Sequence, residues 1–401
     1  MKSSSNQYPS NYASKHLSSH FQLLRYLGFL LLLAFGVTIG MIISFYYKSC
    51  TISLQFSQFS LSASQKPPPV SPPPPPILQP IKRPKVSHVS HIAGLKEFLQ
   101  PSHVIHDMSD EELLWRASMT PKIHDYPFRR VPKVAFLFLV RSNVPLAPLW
   151  EVFFRGHEGY FSIYVHSHPS YNGSDKSPLF RGRRIPSKIV EWGRVNMMEA
   201  ERRLLANALL DFSNQRFVLI SESCIPLFNF STIYSYLMNS TQNYVMAVDE
   251  PSAAGRGRYK IQMSPEITLR QWRKGSQWFE MDRELALEVV SDRKYFPVFQ
   301  KYCNSGSSCC ADEHYLQTFV SIKFWKRNAN RSLTWVDWSK GGPHPAKFVR
   351  PEVTVEFLES LRNQTCKYNG NSKNVCYLFA RKFLHTSLTR LMRFAPQVMH
   401  L

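Results

Sequence analysis

Asp312, Glu313 and His314 form the first group of residues whose types and spacing could support chemistry. They lie in the run SSCCADEHYLQTFV, directly before apolar residues with helical spacing. Acidic residues at the start of a helix commonly complement the helix dipole, and spacing alone favours that interpretation. A carboxylate held at such a position could instead act as a general base, because it can accept the proton of an attacking hydroxyl.

A second group consists of cations near the C-terminus. Arg381 and Lys382 lie in the run CYLFARKF, and Arg362 lies upstream of them. Such side chains are usually solvated surface cations. They follow a compact apolar run close to Cys366 and Cys376, which favours a fixed position in the fold. Cations held in this way could neutralise a diphosphate.

The run from Trp335 to Pro345, WVDWSKGGPHP, is predicted to be a loop because of its glycine and proline content. Trp335 and Trp338 could pack inside the protein or form a stacking platform for the C–H faces of sugars. The sequence has no Gly-rich phosphate loop, no His-Glu-x-x-His motif, no Cys-x-x-Cys pair and no Asp-x-Asp pair. We therefore expect no bound metal and no cofactor.

The elements that must position these groups alternate along the chain. Apolar runs predict strands at Val134–Val140, Phe161–Val165, Lys188–Val190, Phe217–Ser221 and Tyr244–Val248. Helical spacing predicts helices at Ala147–Arg155, Asn196–Phe212 and Phe230–Met238. This alternation indicates an α/β fold whose mostly parallel sheet is flanked by helices. Ligands of such sheets bind at the carboxyl ends of the strands. The residues expected at that rim are Arg141, His166, Glu222, Asp249 and Glu250.

The N-terminal region predicts a membrane anchor and a stalk. Residues 26–47 are 22 residues without a charge, long enough to cross a hydrocarbon core of ~30 Å. A cleaved signal peptide is the alternative, but its apolar region is normally only ~7–15 residues long. Ten prolines between residues 67 and 84 predict an extended spacer, and a ligand for a proline-binding domain is the alternative. We predict a cytosolic tail (1–25), a transmembrane anchor (26–47), a Pro-rich stalk (48–90), a connecting segment (91–132) and a luminal catalytic domain (133–401).

Composition and sequons bear on the compartment and the partners. Of the 401 residues 44% are hydrophobic, which excludes a disordered or fibrous protein. Lys and Arg number 49 against 28 Asp and Glu, which favours anionic partners.

Every Asn-x-Ser/Thr sequon follows the predicted anchor, as luminal glycosylation requires, and this placement disfavours nucleic acid as the partner. Six of the seven cysteines lie in the predicted luminal domain, so up to three disulfides could form there. The sequons are at Asn172, Asn229, Asn239, Asn330 and Asn363.

From about residue 133 to the C-terminus the sequence resembles the Core-2/I-branching β-1,6-N-acetylglucosaminyltransferase family, glycosyltransferase family 14, and within it the plant, brittle-culm-like branch. The resemblance implies a GT-A-like nucleotide-sugar fold, a type II Golgi topology and metal-independent transfer. The motifs that carry it, in order along the chain, are VAFLFLVRSNVPLAPLWEVFF, IPSKIVEWGRVNMMEAERRLLANAL, FVLISESCIPLFNFSTIYSYL, GRGRYKIQMSPEITLRQWRKGSQWFEMDRELA, CCADEHYLQTF, WSKGGPHP and CYLFARKF.

Individual residues receive expected roles from this resemblance and from the strand-end placement. Glu313 matches the family's catalytic base, and Lys382 matches the basic residue that holds the diphosphate, with Arg362 and Arg381 as further cations. His166 stands where animal relatives have an aspartate, so we expect a different uridine contact. The loop around Trp335 is shorter than in animal enzymes, so we expect a different acceptor. The residues expected to bind the nucleotide sugar are Val140, Arg141, His166, Trp192 and Gly193. Those expected to bind the acceptor are Asp249, Glu250, Arg258, Tyr259, Trp335 and Trp338.

These observations lead to a functional hypothesis. We expect inverting transfer of a sugar, N-acetylglucosamine or a related one, from a UDP-sugar to a hydroxyl of a glycan or glycoprotein acceptor. The expected setting is the Golgi membrane of a plant, with a role in the cell wall and homo- or hetero-oligomers with other Golgi enzymes as further partners. A catalytically silent Golgi protein that binds glycans or enzymes is one alternative. A glycosidase is another, and it would need two opposed carboxylates ~5–9.5 Å apart.

Overall fold

The computed structural model describes most of the chain beyond residue 103. The described residues are 28–33, 35–36, 38, 104–122, 125–126, 128–173, 177–303 and 309–401. The chain divides into two units, Met1–Ser87 and His88–Leu401. The described residues of the first unit are helical. Nowhere in the described ranges does a helix have both the length and the apolarity needed to span a bilayer. The predicted tail and stalk, and much of the predicted anchor, lie outside the described residues.

Helices and strands of the second unit alternate through its first half, as predicted. The strands are β1 (Lys133–Leu139), β2 (Phe161–His166), β3 (Asn214–Ser221), β4 (Ile225–Pro226), β5 (Glu280–Asp282), β6 (Thr334–Val336), β7 (Cys366–Tyr368), β8 (Asn371–Lys373) and β9 (Phe379–Arg381). The α-helices are α1 (Asp110–Ser118), α2 (Ala147–Phe154), α3 (Asn196–Leu209), α4 (Phe230–Met238), α5 (Arg283–Val290), α6 (Phe296–Cys303), α7 (Tyr315–Lys323), α8 (Val355–Arg362) and α9 (Leu388–Phe394).

The central sheet has the strand order β2-β1-β3-β5. The first three strands are parallel, whereas β5 pairs antiparallel with β3. Every residue of β1 is buried, and its side chains alternate between two apolar clusters, one on each face of the sheet. A strand with both faces covered must be apolar throughout, which explains the run VAFLFL. The sheet is therefore parallel-rich and flanked by helices, as the sequence predicts.

Helices cover both faces of the sheet. On one face, α3 and α5 pack with α1, whose Leu113 and Ala117 are buried in the same cluster. The predicted connecting segment 91–132 thus contributes a helix to the core. On the other face, Phe136 of β1 contacts Phe154 of α2 edge to face, with ring centroids 4.8 Å apart. Such aromatic pairs stabilise beyond their buried area by ~0.5–1.5 kcal/mol.

Three predicted segments differ from the structure. Lys188–Val190 is not a strand, and the backbone N–H of Lys188 donates to the His166 ring rather than to a neighbouring strand. Tyr244–Val248 makes only isolated bridges, while β5 takes the fourth place in the sheet. A short buried apolar run does not by itself distinguish a strand from irregular chain. The predicted Trp335 loop begins with strand β6, because its Gly and Pro residues start only at Gly341.

A second sheet, β4-β9-β6, positions the C-terminal cations. Its central strand β9 pairs with β4 in antiparallel and with β6 in parallel orientation. Nearby, β7 and β8 form a hairpin, and Cys366 is bonded to Cys376. A second disulfide joins Cys303 to Cys309. Among the described cysteines Cys224 and Cys310 are free and buried, so the described residues form two of the three disulfides that the count allows.

Candidate active site

A cavity of about 1090 Å³ opens at the carboxyl ends of the parallel strands. The chain leaves each strand at this rim, so the residues that follow the strands line the cavity. His166 ends β2, Val140 follows β1 and Glu222 follows β3. The predicted rim residues Arg141 and Glu250 also line it. The structure thus brings together four of the five residues expected at the rim, and Asp249 is the exception.

Glu313 lines the cavity from the 3₁₀ turn Ala311–Glu313, which precedes α7. Its Oε2 atom accepts a hydrogen bond from Nη1 of Arg258 at 3.0 Å, and about a quarter of its side chain (28%) is exposed. The following helix has no side-chain cap. The carboxylate therefore bonds to a cation at the cavity wall and does not cap the helix. A carboxylate held there can approach a bound hydroxyl.

The backbone around Glu313 is locked by the segment that contains Gly275. The N–H of Gly275 donates to the carbonyl oxygen of Glu313 at 2.9 Å. A Cβ atom at Gly275 would lie 1.7 Å from the carbonyl oxygen of Met246, so only glycine allows this approach. His314 is fully buried, and its Nδ1 lies 2.8 Å from the carbonyl oxygen of Arg273. A carbonyl only accepts, so Nδ1 carries the proton.

Neighbouring ionisable groups on this turn are shifted towards their uncharged forms. Burial, followed by the negative charge of Glu313, raises the pKa of Asp312 to about 7. Burial lowers the pKa of His314 to about 4. Burial also raises the pKa of the Cys310 thiol. Of these groups Glu313 is the carboxylate with a cationic partner and access to the cavity, which makes it the best-placed proton acceptor of the turn.

The second functional wall is formed by Arg381 and Lys382 at the end of β9. The guanidinium of Arg381 lies over the ring of Trp278, 3.9 Å from its centroid, and its Nε atom is buried without a hydrogen-bond partner. Burial lowers the pKa of Arg381. Burial, followed by the charge of Arg381, lowers the pKa of Lys382. Within the described ranges Lys382 forms no salt bridge with a carboxylate.

Arg381 and Lys382 lose contact with water, and no nearby negative charge fully compensates their positive charges. Burying a charge costs free energy unless a partner of opposite charge compensates it. Glu222 lies close enough to favour the charged forms of Arg381 and Lys382, but it does not form an ion pair with either within the described residues. Arg141 adds a further positive charge beside Lys382. This wall therefore favours an anionic ligand such as a diphosphate.

The predicted nucleotide-sugar residues lie at or beside the same cavity. Val140, Arg141, His166 and Trp192 line it. Trp192 is 61% exposed, so it is open to a ligand. Gly193 is not a lining residue. Its φ is +76°, and a Cβ atom at this position would lie 3.8 Å from the Sγ atom of Cys310, which lines the cavity.

The predicted acceptor residues divide into two groups. Glu250 and Arg258 line the cavity, and Lys274 Nζ lies 3.2 Å from Oε2 of Glu250. Trp338 also lines it and is 50% exposed, which suits a stacking platform. The other three predicted acceptor residues, which do not line the cavity, are Asp249, Tyr259 and Trp335.

Each residue outside the cavity has a structural partner. Asp249 forms a bidentate ion pair with Arg256, whose Nε and Nη2 atoms donate to the two carboxylate oxygens at 2.7 and 2.6 Å. The hydroxyl of Tyr259 donates to the carbonyl oxygen of Ile267. Trp335 packs against Phe348 and Phe357, so of its two predicted roles the structure favours packing. The predicted diphosphate ligand Arg362 lies over the ring of Phe228, 4.5 Å from its centroid, and does not line the cavity.

Sequons also differ in their surroundings. Asn229 is the N-cap of α4, and its side chain accepts a hydrogen bond from the N–H of Thr232. The side chain of Asn330 accepts from the N–H of Ala247 beside the cavity. The exposed sequon asparagines are Asn172, Asn239, Asn330 and Asn363.

Some lining residues were not anticipated from the sequence. Lys274, Gln277 and Trp278 line the cavity from an irregular segment that carries no periodic pattern. The one local signal there is Gly275, because an isolated glycine often marks a close backbone approach. The segments of the candidate active site therefore include strand ends, two 3₁₀ turns and irregular chain around residues 188–192, 246–278 and 338–345.

A parallel-rich α/β fold with a large cavity at its strand ends, lined by an accessible carboxylate and by cations, is an arrangement suited to group transfer with an anionic substrate. The model of the Core-2/I-branching enzyme family matches residues 134–362, which is more than half of the chain. A rice protein (Oryza sativa subsp. japonica) described as glycosyltransferase BC10 is 35% identical over 306 residues, which are 65% of this chain and 76% of the rice protein. The chain belongs to the Core-2/I-branching enzyme family of glycosyltransferases.

Proposed function

We propose that this glycosyltransferase has a GT-A-like fold and transfers a sugar from a UDP-sugar to a hydroxyl of a glycan or glycoprotein. The donor sugar in this proposal is N-acetylglucosamine or a related sugar. Transfer inverts the anomeric configuration and needs no metal ion. The observation that carries the proposal is a single cavity lined both by Glu313 and by the Arg381–Lys382 pair. Its volume of about 1090 Å³ is sufficient for a nucleotide sugar together with part of an acceptor.

Glu313 is the general base in this mechanism. As the acceptor hydroxyl attacks the anomeric carbon, it must lose its proton to a group within ~3 Å. Arg258 holds the carboxylate of Glu313 at the cavity wall before the acceptor binds. The imidazole of His314 is less suited to this role, because its protonated nitrogen faces the carbonyl oxygen of Arg273 and its other nitrogen is buried.

Arg381 and Lys382 stabilise the leaving group. Negative charge develops on the departing UDP, and preorganised cations in a desolvated site stabilise such charge more strongly than they would in water. Arg141 is placed to assist them. With one base and direct displacement by the acceptor, the product has inverted configuration. The described residues contain no group of three or more His, Cys, Asp or Glu side chains that could hold a metal ion, and a chelation experiment tests the metal independence.

The proposed setting is the Golgi membrane with the catalytic unit in the lumen, in a type II topology. The uncharged run of 22 residues at positions 26–47 supports an anchor. The position of every sequon after this run supports a luminal body. In this setting a plant cell-wall or glycoprotein glycan would be the acceptor, and other Golgi enzymes would be available as oligomeric partners.

A donor screen tests the proposed reaction. It uses residues 91–401, the chain without the predicted tail, anchor and stalk, expressed as a secreted protein. UDP, GDP and CMP-linked sugars are each supplied with a mixture of glycan acceptors, and release of the nucleotide is measured. We expect release from one or more UDP-sugars and little from the others. Release from none of the donors, combined with glycan binding by the folded protein, would favour the catalytically silent alternative. Glu359→Gln, on the exposed face of α8 outside the cavity, is a control for unspecific effects of charge removal.

A further inference from the structure

Two carboxyl side chains that the proposed mechanism does not use are buried behind the wall that carries Glu313. Glu201 of α3 is 1% exposed, and Asp312 of the turn Ala311–Glu313 is 4% exposed. Helix α3 contacts this turn, and Asp312 lines the cavity beside Glu313. Within the described ranges neither Glu201 nor Asp312 forms a salt bridge. A negative charge on either one would therefore be buried without a paired cation.

The hydrogen bonds around these two carboxyls leave a surplus of acceptors. Oε1 of Glu201 accepts from Nε2 of Gln277 at 2.8 Å, but Oε2 of Glu201 and Oδ1 of Asp312 are buried without a partner among the described residues. Oε1 of Gln317 is also buried and unpartnered there, and its amide nitrogen donates to the carbonyl oxygens of Ser276 and Asp312. An ionised carboxylate can only accept, whereas a protonated carboxyl also donates. Protons on Glu201 and Asp312 would supply donors to this group of acceptors.

The electrostatic surroundings also favour the protonated forms. Burial raises the pKa of Glu201 well above its usual value; the hydrogen bond from Gln277 opposes this shift, and the negative charge of Asp312 adds to it. Burial, followed by the charge of Glu313, raises the pKa of Asp312 to about 7, and the positive charge of Arg258 opposes this shift without reversing it. Two carboxyls that interact in this way titrate as a pair, because ionising one disfavours ionising the other.

The other ionisable groups on this turn add no charge at neutral pH. Burial raises the pKa of the Cys310 thiol and lowers the pKa of His314 to about 4, so both groups are uncharged. The charged groups that act on Asp312 are therefore Glu313 and Arg258, which are hydrogen-bonded to each other. An ionised Asp312 would repel the Glu313 carboxylate and compete with it for Arg258.

We propose that Glu201 and Asp312 are positioning residues that hold a proton at neutral pH and thereby keep Glu313 as the charged carboxylate of its turn, paired with Arg258. When Asp312 loses its proton as the pH rises, its negative charge disrupts this arrangement and transfer slows. The effect on turnover rests on the proposed role of Glu313 as general base. The retention of the proton does not depend on that role.

Infrared spectroscopy of the full-length protein, purified in detergent, tests whether the pair holds protons. A protonated carboxyl has a C=O stretching band that is distinct from the bands of ionised carboxylates. The variants are Glu201→Gln and Asp312→Asn, alone and combined, because an amide keeps the shape of the carboxyl and stays uncharged. At neutral pH the combined variant should lose part of the band that the unchanged protein has. The matched control Glu199→Gln, on the same helix, should retain it, because Glu199 accepts from Gln300 outside the active-site cavity.

Unfolding measurements give a second test, with a defined sign. In the unfolded chain both carboxyls ionise near their ordinary pKa values of about 4, whereas in the folded protein they keep protons to higher pH. Unfolding therefore releases protons between about pH 4 and about pH 7, and the pair's contribution to the free energy of unfolding falls as the pH rises through this window. The Tm of the combined variant, relative to the unchanged protein, should increase with pH. Glu199→Gln should show no such trend.

The pH profile of kcat tests the positioning role. With a pKa of about 7 for Asp312, kcat of the unchanged protein should fall about 25-fold between about pH 6.5 and about pH 8.5. In Asp312→Asn this alkaline fall should be much smaller, because the amide does not ionise. The acid side of the profile should stay in place, because Asp312 is already uncharged there in the unchanged protein.

Three results would overturn the inference. These are equal protonated-carboxyl bands in the unchanged protein and the folded combined variant, a Tm difference that does not change with pH, and an alkaline fall in kcat that Asp312→Asn retains. The last result would assign the fall to another group, such as Lys382. If the combined variant does not fold, the two single variants decide the same comparisons. Absence of turnover at every pH in the unchanged protein would overturn the proposed function, and the infrared and Tm comparisons would still decide whether the pair holds its proton.

Discussion

Replacing Glu313 by glutamine separates a catalytic role from a structural one. The amide has nearly the same size as the carboxylate, and its oxygen can still accept the hydrogen bond from Arg258, but it cannot take up a proton from the acceptor. A general base contributes ~10²–10⁴-fold to the rate, equivalent to roughly 3–5 kcal/mol of transition-state stabilisation. We expect kcat to fall by about this factor.

The structural effect of the same change should be small. Arg258 and Glu313 have side chains 22% and 28% exposed, and partly exposed ion pairs usually contribute less than ~1 kcal/mol to the free energy of unfolding. A loss of that size would lower Tm by only a few degrees in a domain of this length. UDP affinity should change little, because in the proposed mechanism Glu313 acts on the acceptor hydroxyl and other residues hold the diphosphate.

The assay measures kcat by UDP release at saturating donor and acceptor, the Kd of UDP by calorimetry, and Tm. The matched control is Glu359→Gln, which removes an exposed carboxylate outside the cavity and should leave all three quantities nearly unchanged. Near-normal turnover of a folded Glu313→Gln enzyme would refute the proposed mechanism. A fall in Tm large enough to unfold the variant at the assay temperature would show that Glu313 contributes mainly to stability.

Three further predictions concern the leaving group, the metal and the topology. Lys382→Ala should weaken UDP binding and lower kcat together, because in the proposed mechanism the lysine attracts the ground-state diphosphate and stabilises the leaving group still more strongly; unchanged Kd and kcat would contradict this role. Activity should survive EDTA, and loss on chelation with recovery on adding Mn²⁺ would contradict metal independence. Protease added to sealed Golgi vesicles should remove only the N-terminal tail, and digestion of the catalytic unit without detergent would exclude a luminal orientation.

Local sequence patterns were sufficient for several elements of the fold. The bounds predicted for the helix Phe230–Met238 agree with α4, and the strands predicted from residues 134, 161 and 217 onwards correspond to β1, β2 and β3. These elements are predictable because burial on both faces requires apolar side chains throughout a strand, whereas an amphipathic helix needs them every three to four residues. The parallel order of the strands then implied a site at their carboxyl ends.

Short elements could not be predicted in the same way. Tyr244–Val248 has the composition of a strand, yet β5, with the sequence Glu-Met-Asp, pairs with β3 in its place. Glu280 of β5 is tolerated in the core because Arg216 donates two hydrogen bonds to it at 2.6 Å. Because Arg216 and Glu280 lie 64 positions apart, no local sequence pattern predicts their pairing.

The sequence by itself determined the buried parallel strands, the position of Glu313 just before a helix and the presence of cations after the last apolar run. Only the tertiary structure decided which of these groups share a cavity. It brings Arg258 to Glu313 across 55 positions and Asp110 to Arg203 across 93, and it places Asp249, Tyr259 and Arg362 outside the cavity lining. The physical reason is that side-chain charge and hydrogen-bonding capacity are local properties of a residue, whereas the partner that satisfies them depends on packing between distant segments of the chain.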